Sequence, residues 1–251
     1  MEKAMTHTDY IAALDQMYQE HYCGGICPYY DVCFASTEVN PKFKFDYAAK
    51  VGANYSNNSK VKVLVVGQEG KNGHTRTGKT EERIEQDNEH YRKTLYTLAL
   101  ILCKDTPKGF SKEALRPYEK LLKNFCLTNY YKCAIQKGNA YACRDLPHTQ
   151  TMRANCYRIL VKEIDILEPD IVIIQGKFTP ESFWAAYENG KRIDGNKTEE
   201  NDSISLYRYT HKNGKPFYVL YGYHPCYYQA WSGDLLDNFK KMIDKFLEMH
   251  N

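Results

Sequence analysis

Four short apolar runs, each ending in polar residues, limit what this chain can fold into. Val63-Leu64-Val65-Val66 precedes Gly67-Gln68-Glu69-Gly70, and Leu127-Thr128 precedes Asn129-Tyr130-Tyr131-Lys132-Cys133. Ile171-Val172-Ile173-Ile174 precedes Gln175-Gly176, and Val219-Leu220-Tyr221-Gly222 precedes Tyr223-His224-Pro225. Near-continuous apolar runs of this length read as strands buried on both faces, the habit of parallel sheets. Helical spacing falls between them. Residues 8–22 carry Ile11, Leu14, Met17 and Tyr18; residues 80–104 carry Leu95, Leu98, Ala99 and Leu102. Further helices are expected over 112–124, 151–167 and 234–249, and strands over 61–66, 125–129, 171–174, 206–209 and 216–221, the last two joined by an Asn213-Gly214 turn. Residues 188–202 read as an exposed loop. The alternation predicts an α/β chain, a three-layer α/β/α sandwich with a central, mostly parallel four-stranded sheet. Open sheets of this kind bind ligands beyond the carboxyl ends of their strands, so the polar residues after each run are expected to meet at one edge.

The chain has 251 residues and 43% hydrophobic content, which suits one domain over 1–251 with a real core. Its 34 Lys+Arg against 31 Asp+Glu leave a net charge of only +3, so bulk charge does not announce a nucleic-acid binder and a local basic patch stays open. No apolar run is long enough to cross a membrane, and the first ten residues lack a signal peptide's apolar core. A cytoplasmic monomer is expected. Nine cysteines, an odd number in a reducing compartment, point to a metal or cluster rather than a disulfide framework. Many of the 22 tyrosines, among them Tyr130, Tyr131, Tyr227 and Tyr228, sit where loops are expected, as base-stacking groups or as the rim of the core.

Three of the strand-end residues carry chemistry. Glu69 could orient a water while backbone amides near Gln68 bind a carbonyl oxygen, against the plain alternative of a solvated loop carboxylate. Asn129 offers the donor and acceptor that a pyrimidine edge requires, though Asn is also an ordinary turn residue. His224 could stabilise negative charge on a departing group, or simply be a hydrogen-bonded structural histidine.

With these motifs in order, the chain resembles the uracil-DNA glycosylase superfamily over roughly residues 20–235. Gly67-Gln68-Glu69 stands where that family has its first-strand motif, Asn129 where it has its base-reading Asn, and His224-Pro225-Cys226 where it has a His-Pro-Ser segment. The Asn129-Tyr130-Tyr131-Lys132-Cys133 segment is most similar to the family's iron–sulfur branch. That resemblance implies a 4Fe-4S cluster held by Cys23, Cys27, Cys133 and Cys156, tying the N-terminal cysteine loop of residues 20–35 to the domain. Here Cys23-Gly24-Gly25-Ile26-Cys27-Pro28 is one residue longer than the family's pattern. Zinc would also satisfy four thiolates, and Cys33 and Cys143 are spare ligands. Cys103 and Cys126, in apolar surroundings, read as core residues.

The resemblance further implies a monofunctional hydrolase that flips a nucleotide out of DNA and cleaves its N-glycosidic bond, leaving an abasic site. Glu69 and His224 would be catalytic, and Gly67, Gln68, Asn129 and Tyr91 would surround the base. Lys132, Tyr227, Tyr228 and Trp231 would contact DNA, with one of the aromatics filling the vacated stack. Arg144, Arg153 and Lys177 are further phosphate contacts. The chain departs from the iron–sulfur pattern after the first strand, where no aromatic appears until Tyr91 and the loop carries His74, Thr75, Arg76 and Thr77. A modified pyrimidine rather than plain uracil is the expected target, in base-excision repair or in phage defence against modified DNA. The other reading is an inactive module that binds a modified base.

Overall fold

Each strand of the sheet's centre is apolar on both alternations, and two helical layers cover it. The computed structural model describes residues 5–21, 29, 48–56, 61–67, 89–130, 132, 147–176, 191–194, 204–225 and 227–250, with only the backbone at 89, 147–154, 191–194, 228 and 230. Among them the order is α1 (His7–His21), β1 (Lys50–Val51), β2 (Val63–Gly67), α2 (Glu89–Leu98), α3 (Lys112–Leu115) and β3 (Phe125–Asn129). Then follow α4 (Pro147–Leu167), β4 (Ile171–Gln175), β5 (Lys191–Asp194), β6 (Ser205–Thr210), β7 (Pro216–Gly222) and α5 (Gly233–His250). The sheet has seven strands in the order β1-β3-β2-β4-β7-β6-β5.

The expected parallel centre is present as β3-β2-β4-β7. The count of four strands is corrected by antiparallel additions at both edges: β1 on β3, and β6 then β5 beyond β7. The charges of Lys191, Arg192 and Asp194 suggested a loop, but an edge strand pairs on one side only and tolerates charge. β1 is two residues long, too short for any periodicity to register.

Alternation divides the core into two halves. Leu64, Val66, Cys126, Val172 and Ile174 pack with Leu14 and Tyr18 of α1 and Ile159, Leu160 and Ile164 of α4. Val63, Val65, Leu127, Ile171 and Ile173 pack with Leu95 and Leu98 of α2, Leu115 of α3, and Phe239, Ile243 and Phe246 of α5. The three-layer expectation therefore holds. The helix expected over 112–124 is α-helical only to Leu115 and continues as a 3-10 helix, Arg116–Lys123. Pro117 has no N–H to continue the i to i−4 ladder. The β6–β7 hairpin turns at Gly214, whose φ of +83° suits a residue without Cβ. No helix among the described residues is long and apolar enough to cross a membrane.

One polar network lies inside the α4 side. The Glu163 carboxylate meets Lys132 Nζ at 2.6 and 2.7 Å, and accepts from Thr128 Oγ1 at 2.8 Å and from Tyr18 Oη at 2.6 Å. Tyr18 Oη in turn accepts from the Ala49 amide at 2.7 Å. The network joins α1, α4, the approach to β1 and the residues leaving β3. Removing one member of a buried ion pair strands the other charge, so Glu163→Ala should lower the unfolding free energy by about 3–5 kcal/mol in urea titration. A loss below about 1 kcal/mol would show the pair to be dispensable.

Candidate functional site: the carboxyl edge of the parallel strands

The four parallel strands end in one row. Gly67 lies opposite Asn129, and Gln175 opposite Gly222. The Val66–Ile174 pair carries the register from β2 to β4, which puts Gly67 and Gln175 side by side. Val66 and Ile174 belong to the α1–α4 half of the core, so the next residue on each strand faces the other half. Gln175 accordingly reaches α2, and a Cβ on Gly222 would meet Phe239 of α5 at 3.2 Å. Asn129 and Gln175 thus flank Gly67 on the same face, their strands about 10 Å apart at the usual spacing, with a residue that has no side chain between them.

Both amides hold unsatisfied polar atoms. Asn129 is 1% exposed, and among the described residues neither its Oδ1 nor its Nδ2 has a partner. Gln175 is 2% exposed and its Oε1 has none among them. Each such group costs about 1–3 kcal/mol, a burden that native folds carry where a ligand or water takes up the bond. Gly67 belongs to the same arrangement, since a Cβ there would stand 2.7 Å from Asn129 Oδ1. The Tyr130 amide donates to the Gly67 carbonyl at 2.8 Å, which extends the β2–β3 ladder past Asn129 and holds it in place.

The chain after β7 forms one wall. The His224 carbonyl accepts from the Tyr227 amide at 2.8 Å and from Trp231 Nε1 at 3.4 Å. Lys93 of α2 is 5% exposed and donates from Nζ to the Pro225 carbonyl at 3.2 Å, beside the rings of Phe110 and Trp231. His90, one turn earlier, sets its ring edge-on to that of His224, centroids 5.7 Å apart. A helix thus clamps the His224-Pro225 turn through a buried cation. His90, Lys93 and Thr94 carry no motif; the available signal was a polar stripe at 90, 93, 94 and 97 on a helix whose apolar face had already been assigned to the core.

The remaining expected residues divide three ways. Gln68, Glu69, Cys23, Cys27 and Cys133 lie outside the described residues, as does the side chain of Tyr228. Tyr227 is 47% exposed beside Tyr223 and is open to a partner. Others are buried in ways that oppose their expected roles. Trp231 packs against Phe110 and Phe239, so it would have to leave the core to enter a base stack. Lys132 is 0% exposed and its amine is held by Glu163, out of reach of a phosphate. Tyr91 is buried in the α2 half of the core. Cys126 is a core residue as expected, burial holding its thiol well above the usual range, whereas Cys103 is exposed.

For a metal, the informative neighbourhood is α4. Cys156 is buried there. Two residues on, Arg158 Nη1 donates to Tyr29 Oη at 2.8 Å, and the Tyr29 ring lies 6.1 Å from that of His21. Tyr29, two residues past Cys27 in the chain, therefore lies against the helix turn that bears Cys156. Lys132, tied to Glu163 of the same helix, directly precedes Cys133. Among the described residues no three His, Cys, Asp or Glu side chains form a metal-binding group.

If the Asn129 amide is unbonded in the resting protein, Asn129→Leu should leave the unfolding free energy unchanged or raise it by about 1–2 kcal/mol. A loss above about 1 kcal/mol in urea titration would mean that the amide already has a stabilising partner.

Among curated proteins none matches the chain. The family model of the uracil DNA glycosylase superfamily matches residues 54–248, which takes in β2, Asn129, β4 and His224 and leaves Cys23 and Cys27 before the matched span. With well over half of its length matched, the chain belongs to the uracil DNA glycosylase superfamily.

Proposed function

We propose that this protein is a DNA glycosylase that excises a modified, uracil-like pyrimidine and leaves an abasic site. The observation that carries the reading is the unbonded Asn129 amide over the bare floor of Gly67, at the strand edge of a chain whose family members are typically DNA glycosylases. A carboxamide with both ends unused presents a donor and an acceptor to one edge of a pyrimidine. Taking the base out of the stack brings that edge to the amide.

Gln68 and Glu69 directly follow the Gly67 floor in the chain. Glu69 orients the attacking water and offsets the positive charge that develops on the sugar as the glycosidic bond breaks. The base departs with the bonding electrons, and His224 with the backbone amides near Gln68 holds that negative charge. The Lys93 and Trp231 bonds to the His224-Pro225 turn keep the imidazole's backbone from drifting, and small displacements at this step are costly. Tyr227, exposed at the rim, with Tyr228 beside it in the chain, fills the vacated stack.

The contact of Tyr29, two residues past Cys27, with Arg158 in the turn after Cys156, and of Lys132, next to Cys133, with Glu163 of α4, supports an iron–sulfur cluster on Cys23, Cys27, Cys133 and Cys156. Such a group would tie the N-terminal segment and the chain after β3 to one helix.

Two experiments test the reading. DNAs carrying uracil, thymine or 5-hydroxymethylated pyrimidines are incubated with the protein and treated with alkali; strand breaks are expected, strongest at a modified base. Glu69→Gln should retain DNA binding and lower single-turnover base release by about ten- to a thousand-fold. Breaks in none of these DNAs, or a Glu69→Gln rate equal to wild type, would contradict the proposal. Separately, anaerobically purified protein should be brown and contain iron that Cys156→Ser loses. Colourless protein with stoichiometric zinc would remove the cluster assignment.

A further inference from the structure

The reaction set out above leaves one buried group of the same row unused. Gln175 ends β4, next to Gly67 and on the far side of it from Asn129. The orientation of its amide follows from its neighbour. Thr94 Oγ1 gives its hydrogen to the His90 carbonyl at 2.9 Å, so toward Gln175 it can only accept. Gln175 Nε2 fills that role at 2.9 Å, which fixes the nitrogen against α2 and leaves Oε1 buried without a partner. A purely structural residue here gains nothing from that carbonyl, because a methionine of similar reach would fill the space with no orphaned acceptor.

We propose that Gln175 is a second base-reading residue, whose Oε1 accepts a hydrogen bond from an exocyclic N–H or O–H of the base held over Gly67. The inference deepens the base-excision reading of this site and rests on it. The chemistry of the departing base narrows which part of it meets Gln175. A carbonyl oxygen repels the negative charge that gathers on the ring nitrogen and ring oxygens as the bond breaks, so Oε1 belongs opposite a substituent that donates. Uracil has one donor besides the atom joined to the sugar, its N3–H, and that one suits the Asn129 carbonyl. Plain uracil would therefore leave Oε1 buried and unbonded, while a base bearing an amino or hydroxyl substituent would satisfy it. Sites built to bond a substrate hydroxyl or amine reject the analogue that lacks it far more strongly than an apolar pocket rejects one methylene.

The test reads binding of free bases, so it does not depend on catalysis. Matched pairs that differ by one donor group, uracil with 5-aminouracil and thymine with 5-hydroxymethyluracil, are titrated calorimetrically into the protein and Gln175→Met. Wild type should bind the donor-bearing member of at least one pair about tenfold or more tightly than its partner. Gln175→Met should lose that preference without lowering the unfolding midpoint. Should Gln175→Met fail to fold, Thr94→Val reads the same point: it removes the anchor that orients the amide, and the preference should fall. Binding of none of these bases by wild type, no preference in wild type, or the same preference in the variant that folds would overturn the inference. A protein that shows the preference yet releases no base from DNA would keep Gln175 as a reader and sink the glycosylase reading instead.

Discussion

Helices cover the four parallel strands on both faces, so a polar side chain in that sheet has a place only where the strands run out. β2, β3, β4 and β7 meet this constraint together: the apolar interiors end, and the next residues in register are Gly67, Asn129, Gln175 and Gly222. Two glycines, at each of which a Cβ would crowd a neighbour, and two carboxamides make a row along which bonds are unmade among the described residues. The proposed base site is arranged around that row. Gln68 and Glu69 follow Gly67 in the chain, the His224 turn follows β7, and α2 supplies the groups that hold Gln175 and the turn in place.

α2 serves two purposes on one helix. Leu95 and Leu98 anchor it to the sheet, while Lys93 and Thr94 reach toward the strand ends. On the opposite face, α4 does similar work through Glu163, which binds Lys132 and Thr128 and so fixes the chain as it leaves Asn129. Both are buried charged contacts, and each sets the position of a segment that must be accurate rather than merely stable. Such contacts add little net stability compared with apolar packing, and their value lies in admitting one arrangement.

The fold was readable where a residue pattern has one physical meaning. The run 125–129 cannot be a helix of that length, and the structure has it as β3. Asn129 and His224 were singled out because each follows such a run, and the structure places Asn129 at the carboxyl end of β3 and His224 just past β7. The errors share a cause as well. Lys132 follows Asn129 by three residues and is charged, so it read as a phosphate contact; only the fold shows that its partner is Glu163, 31 positions away. Trp231 sits in a Tyr-rich turn and read as a DNA contact, but Phe110 and Phe239 cover it from other elements. Gln175 read as the polar end of a strand, and its importance depends on Thr94, which carries no signal of its own. Contacts between distant positions decide whether a polar residue is structural or available, and a single sequence does not display them.

The central claim is that the bare floor at Gly67, read by Asn129, is where a base is held. It is tested most directly by a crystal structure of the full chain on DNA containing a 2′-fluoro analogue of a base it excises, a change that slows bond cleavage and leaves the base intact. The account predicts an extrahelical base lying over Gly67, with the Asn129 Oδ1 and Nδ2 atoms both bonded to its edge. A base bound away from the strand ends, with the Asn129 amide still unbonded or bonded only to water, would contradict it.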